Sequence, residues 1–137
     1  ANLGAALYKQ GAYADACRLQ EKELAGVLAR LGEHNHETVI SRENLAATMT
    51  AQGDYSNARI QLEQALVSSK HFYGPKHPYT TRIAGHLFAM FCKLRDRVGS
   101  DSVLFGELRW LVDEDPRRLA PEQQELRQEV LRIFSRI

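Results

Sequence analysis

The residues of this chain best suited to chemistry are its five histidines, its two cysteines and a scatter of lysines, arginines and asparagines. His34 and His36 flank a single residue, a spacing from which two imidazoles can chelate, but no Cys, Asp or Glu cluster completes a set at zinc spacing. Both read as surface or structural histidines of a linker, and no metal is expected. Glycines occur singly rather than in a phosphate-cradling loop, and neither an HExxH motif nor a Ser-His-Asp arrangement is present. The sequence therefore predicts neither an enzyme nor a cofactor. Cys17 and Cys92 lack CxxC spacing and fall in apolar helical patterns, so both read as reduced core thiols, which suits a cytoplasmic setting.

The elements that must position these residues are bounded by length and charge. At 137 residues the chain is about one domain's worth, and 44% hydrophobic with 26% charged residues is the composition of a folded, water-soluble domain. No run approaches the ~18 apolar residues that a membrane span needs, so no membrane partner is expected. The formal net charge of +1 conceals a gradient. Residues 39–95 carry seven basic side chains against three acids, and residues 96–137 carry seven against nine. That imbalance is thin for phosphate backbones, and no nucleic-acid partner is expected.

Self-similarity organises the chain. Asn2-Leu3 recurs as Asn44-Leu45, Gln10-Gly11 as Gln52-Gly53, Tyr13 as Tyr55, Ala16 as Ala58, Leu24 as Leu66, Gly32 as Gly74 and Thr38 as Thr80, always 42 residues on. A third copy starts at His86-Leu87, then loses the pattern, with Arg95 for Gly53 and Arg97 for Tyr55. Within a unit, Leu45 and Met49, then Tyr55, Ala58, Leu62, Ala65 and Leu66, repeat at offsets of three, four and seven, the spacing of amphipathic helices. Gly53-Asp54 separates the two stripes, so each unit reads as a helical hairpin whose turn uses glycine. Units fall at about 1–37, 38–79 and, in degenerate form, 80–99. Residues 100–137 supply two further amphipathic helices, split at Asp115-Pro116, that suit a terminal cap. Trp110 lies in the first of these with Leu108 and Leu111, and reads as core or else as a contact for a second copy. Seven helices are predicted. Only Ala1 precedes Asn2, whereas six or so residues precede Asn44 in its helix, so the chain reads as a segment of a longer array.

The run Asn-Leu-(Gly/Ala)-Ala, Gln-Gly-x-Tyr-x-x-Ala, a second helix ending in Leu-Gly or Tyr-Gly, and then Thr38 or His77-Pro78-Tyr79-Thr80 resembles the tetratricopeptide repeat. It is similar to the 42-residue form familiar from kinesin light chain, over residues 1–95. The resemblance implies an all-α, right-handed solenoid of antiparallel helix pairs that binds proteins without catalysis. It also implies a concave groove lined by the first helix of each unit, to which Asn2, Lys9, Asn44, Thr50, Arg82, His86 and Lys93 contribute. Asparagine amides both donate and accept and so can clamp a peptide backbone, while Lys9, Arg82 and Lys93 favour an acidic peptide. The alternative is a structural segment that propagates the array or self-associates through its terminal helices.

Overall fold

The computed structural model describes the backbone of residues 2–136 and the side chains of residues 11–136. Helix α1 spans Asn2–Leu31, α2 His36–Gln52, α3 Tyr55–Tyr73, α4 Pro78–Lys93, α5 Arg97–Val103, α6 Trp110–Asp113 and α7 Pro121–Ser135. A turn of π-helix, Leu104–Leu108, joins α5 to α6, and a 3₁₀ turn, Pro116–Arg118, precedes α7. There is no strand among the described residues. Consecutive helices pack side by side, α1 on α2, α2 on α3 and α3 on α4, and α7 closes the array against α4 and α6. None of the described helices is long and apolar enough to cross a membrane.

The helical stripes fall where the periodicity puts them. Leu45, Met49, Ala58, Leu62, Ala65 and Leu66 are all buried, joined by Ile83, Ala84, Leu87 and Phe91 from α4 and by Leu104, Leu108 and Leu111. Thr38 and Thr80 are fully buried at equivalent positions. The Thr38 hydroxyl donates to the Gly32 carbonyl at 2.6 Å, and Thr80 exchanges a 2.7 Å hydrogen bond with Ser69. Each threonine ties the start of one unit to the end of the unit before it. Asn35 and His77, also equivalent, cap α2 and α4 by accepting from the Glu37 and Tyr79 backbone N–H groups.

Turns depart from expectation at both ends of the array. The break expected at Gln10-Gly11 is absent, and α1 runs through it, so the first unit is not a hairpin. The break in the third unit, where glycine is lost, is present. There the Arg95 N–H reaches the Cys92 carbonyl and the Asp96 N–H the Phe91 carbonyl. These repeat, 42 residues on, the bonds from Gly53 to Thr50 and from Asp54 to Met49. Both are Schellman-type ends. Arg95 adopts φ 56° where Gly53 has φ 83°. The residue that tracks the turn is the aspartate after it: Asp54 accepts from the Asn57 N–H and Asp96 from the Gly99 N–H at 3.0 Å. Position 12, one period before Asp54, is Ala12. A helix start without a capping side chain leaves a backbone donor unsatisfied, worth about 1 kcal/mol. Continuing through Gly11 instead costs a similar ~1 kcal/mol of glycine propensity, so the unit without a cap has no local reason to break.

Gly99 has a separate role. A Cβ there would overlap the Phe91 ring, standing 2.8 Å from its Cγ and closer still to Cδ1 and Cε1, so only glycine lets α5 approach α4 this closely. Cys92 is corrected. Cys17 is buried and its thiol, with a pKa raised chiefly by burial and also by Glu21 and Asp54, donates to Gln52 Oε1 at 3.2 Å. Cys92 is exposed, because the inward face of α4 is taken by Leu87, Met90 and Phe91 and position 92 falls outside that arc.

Candidate functional site

Two adjoining cavities lie along α2, α4 and α7. The first, of about 570 Å³, is bounded by Glu43, Asn44, Ala47 and Thr50 of α2 and by Arg82, His86, Ala89 and Met90 of α4. The second, of about 440 Å³, shares Arg82, His86 and Ala89 and is closed on its far side by Glu122, Glu125, Leu126 and Glu129 of α7. The shared residues follow each other at i, i+4 and i+7 along one face of α4, about a quarter-turn round the helix from the face that carries Ile83 and Leu87 into the core, with Met90 at the border between the two. Small side chains keep the floor open. Gly85 admits Leu126, whose Cδ2 would stand 3.3 Å from a Cβ placed there.

Arg82 is held rather than free. Its Nη2 donates to both carboxylate oxygens of Glu43, at 2.8 and 3.1 Å, and its guanidinium lies 4.6 Å from the centroid of the Tyr79 ring. Tyr79 in turn stacks on Tyr73 and His77, and His36 meets both tyrosines edge-on. The expectation that Arg82 offers its charge to a ligand meets this pairing, since Glu43 is only 14% exposed and already neutralises it. The His86 pKa is held below the ordinary 6.5, first by lost hydration between the helices and then by Arg82, with Glu43 opposing. The imidazole is neutral at pH 7 although part of the residue remains exposed.

The remaining expected groove residues divide. Asn44 is exposed on the wall of the first cavity. Thr50 lines the same cavity, but its hydroxyl donates to the Ala46 carbonyl at 2.7 Å and contacts Met90 Sδ. Lys93 lines neither cavity; its Nζ lies 5.4 Å from the Tyr55 ring centroid, at the turn end of the helices. The side chains of Asn2 and Lys9 lie outside the described residues. The pairing of Glu43 with Arg82, the part Tyr79 plays in fixing Arg82, and the glutamates of α7 were not found from the sequence. The signal for Glu43 was its i+39 opposite charge on the neighbouring first helix, which becomes readable only once the two helices are known to be adjacent.

Other sequence candidates find structural partners. His34 pairs with His71, ring centroids 4.3 Å apart, and with Ser68, whereas His36 turns to Tyr73 and Tyr79. Among the described residues no three His, Cys, Asp or Glu side chains gather as a metal site would require. The basic middle is largely paired within the fold: Arg42 with Glu33, Arg59 with Glu63, Lys70 with Glu107 and Arg82 with Glu43. Trp110 packs against the core with Lys76 Nζ 5.4 Å from its ring centroid.

Helix pairs that share a 42-residue period, two Schellman-type turns each closed by an aspartate cap and a wall of first helices are now accompanied by a sequence match: the tetratricopeptide repeat family model covers residues 1–70. The chain belongs to the tetratricopeptide repeat family. No curated protein and no solved structure matches it. Tetratricopeptide repeats are protein-interaction modules, and the α2/α4 wall is where consecutive first helices of such an array stand side by side.

Proposed function

We propose that this tetratricopeptide protein is a non-enzymatic interaction module of the cytoplasm that receives a peptide segment of a partner protein along the trough over α2 and α4. The supporting observation is the pair of adjoining cavities, about 570 and 440 Å³, sharing Arg82, His86 and Ala89. That volume suits a few residues of extended chain, with Ala47, Gly85 and Ala89 leaving room for its backbone and Asn44 offering an amide that donates and accepts. On this reading Pro78–Asp113 is a third hairpin, with α5, the π turn and α6 as its second helix, and α7 is the terminal helix. Asn44, Thr50, Arg82 and His86 form the contact surface, and Lys93 stands beyond it.

The test is amide chemical-shift mapping with ten-residue peptides of differing charge. Shifts confined to residues 43–50, 82–89 and 122–129 support the reading; shifts spread over α1 and α3, or none with any peptide at millimolar concentration, refute it. Self-association through the terminal helices is a second reading, favoured by Val98 and Phe105, which are exposed apolar side chains at 82% and 45%. Sedimentation velocity separates the two, since a monomer up to millimolar concentration excludes it.

A further inference from the structure

The trough carries a charge that the sequence did not reveal, and we infer that the segment it takes is basic, with lysine or arginine at alternating positions of an extended strand. The inference rests on the trough being the binding surface. Its two cavities are lined by four carboxylates, Glu43, Glu122, Glu125 and Glu129, and by one guanidinium, Arg82. Glu43 and Arg82 cancel each other through their paired hydrogen bonds. His86 adds no charge at pH 7. The glutamates of α7 are exposed, and among the described residues none of them makes an ion pair or a side-chain hydrogen bond. Arg127, the cation of the same helix nearest to them in sequence, is turned away to donate to the Leu111 and Val112 carbonyls.

The result is a groove with a neutral floor and a wall of three glutamates without ion-pair partners, Arg132 and Arg136 following one and two turns further along the same helix, in a chain whose overall charge is close to zero. Such a wall attracts cations locally and repels an acidic peptide, whichever way the floor is hydrogen-bonded. Spacing narrows the ligand. Along α7 the glutamates lie about 4.5 and 6 Å apart at 1.5 Å rise per residue. Same-face side chains of an extended strand recur every ~6.6 Å, so alternate basic residues come within reach of successive glutamates. Leu126, between them on the wall, provides apolar contact for the methylene stems of those side chains.

The test uses three fluorescein-labelled decapeptides, (Lys-Ser)₅, (Glu-Ser)₅ and (Ala-Ser)₅, titrated at low salt into the full chain and two variants. One variant combines Glu122→Gln, Glu125→Gln and Glu129→Gln. The other makes the same change of charge on α1 with Asp15→Asn, Glu21→Gln and Glu23→Gln. Exposed ion pairs each multiply affinity by roughly 1.5 to 5, so the α7 variant should bind (Lys-Ser)₅ roughly 3- to 100-fold more weakly while the α1 variant is unchanged. Added salt should weaken the wild-type complex in the same direction. Tighter binding of (Glu-Ser)₅ or (Ala-Ser)₅, with shifts at Asn44 and Ala89, would overturn the basic-ligand inference and leave the trough standing. Equal loss in both variants would overturn it too, showing that the peptide answers to net charge. Failure of all three peptides to perturb the trough would remove the reading on which the inference rests.

Discussion

Among the described residues Arg42 is the buried cation, and its surroundings predict an ordered set of stabilities. It lies on α2 with its side chain 5% exposed, donating to both oxygens of Glu33 at 3.0 and 3.1 Å, to Gln61 at 2.9 Å and to Gln64. Its Nε is buried without a partner. Glu33 is 56% exposed, so the two members of the pair are not equivalent. Removing Glu33 leaves a buried charge held only by two neutral amides. We expect Glu33→Ala to cost about 2 kcal/mol, above the ~1 kcal/mol ceiling of a surface pair and below the 3–5 kcal/mol of a fully buried one. Arg42→Met keeps the stem and removes the desolvated charge with its orphan Nε. The bonds lost to Gln61 and Gln64 are worth about 1 kcal/mol each, and both amides can turn to solvent, so the net change should stay within about 1 kcal/mol. In the Arg42→Met background, Glu33 has nothing buried to neutralise, and Glu33→Ala should then be nearly silent. The double-mutant cycle, measured by urea denaturation followed by far-UV circular dichroism, should therefore return a coupling near 2 kcal/mol. Equal costs for Glu33→Ala in both backgrounds would refute the argument, because the pair would then carry no interaction.

Four further outcomes follow from the turns, the packing of α5 on α4 and the trough. Arg95→Gly should stabilise by about 0.5 kcal/mol, since the 1–2 kcal/mol strain of an L-residue at positive φ exceeds glycine's entropic cost of ~0.5–1 kcal/mol. Gly53→Ala should destabilise by about 1 kcal/mol for the converse reason, as a Cβ there meets nothing within 4 Å; urea midpoints that shift in the opposite order would contradict both. Gly99→Ala should lower stability by about 1–2 kcal/mol through overlap with Phe91, net of better helix propensity, and an additional Phe91→Leu should recover part of the loss in thermal unfolding. Folding favours the neutral form of His86, so its share of stability is complete above pH 6.5 and declines as pH falls through the lowered folded value. His86→Gln should therefore flatten the wild-type dependence of stability on pH between pH 7 and pH 5, and an unchanged slope would contradict the assignment.

Much of the architecture could be read locally because a repeat writes the same short-range rules more than once. The Gly53-Asp54 turn and the core stripe from Leu45 to Leu66 lie within reach of neighbours in sequence. The misreadings at the ends came from following the wrong residue. Glycine seemed to mark the hairpin, yet it permits a turn without requiring one, whereas aspartate satisfies a donor that the turn exposes. Ala12 and Asp96 were the informative positions. Cys92 was misplaced for a different reason: helical periodicity gives an apolar arc, and only the packing of α5 on Phe91 shows where that arc ends.

By itself, then, the sequence determined the class of structure: helices, their pairing at a 42-residue period and the family, and with the family the expectation of a wall built from first helices. Those properties depend on i to i+4 contacts and on turn chemistry, which are local. Tertiary structure decided the character of that wall. Arg82, a candidate ligand cation in one dimension, is neutralised by Glu43 from 39 residues away, and the glutamates of α7 reach the trough only because the terminal helix folds back across α4. Charge is felt through space, so the sign of a groove belongs to the packing of its walls and not to the tally of any one segment.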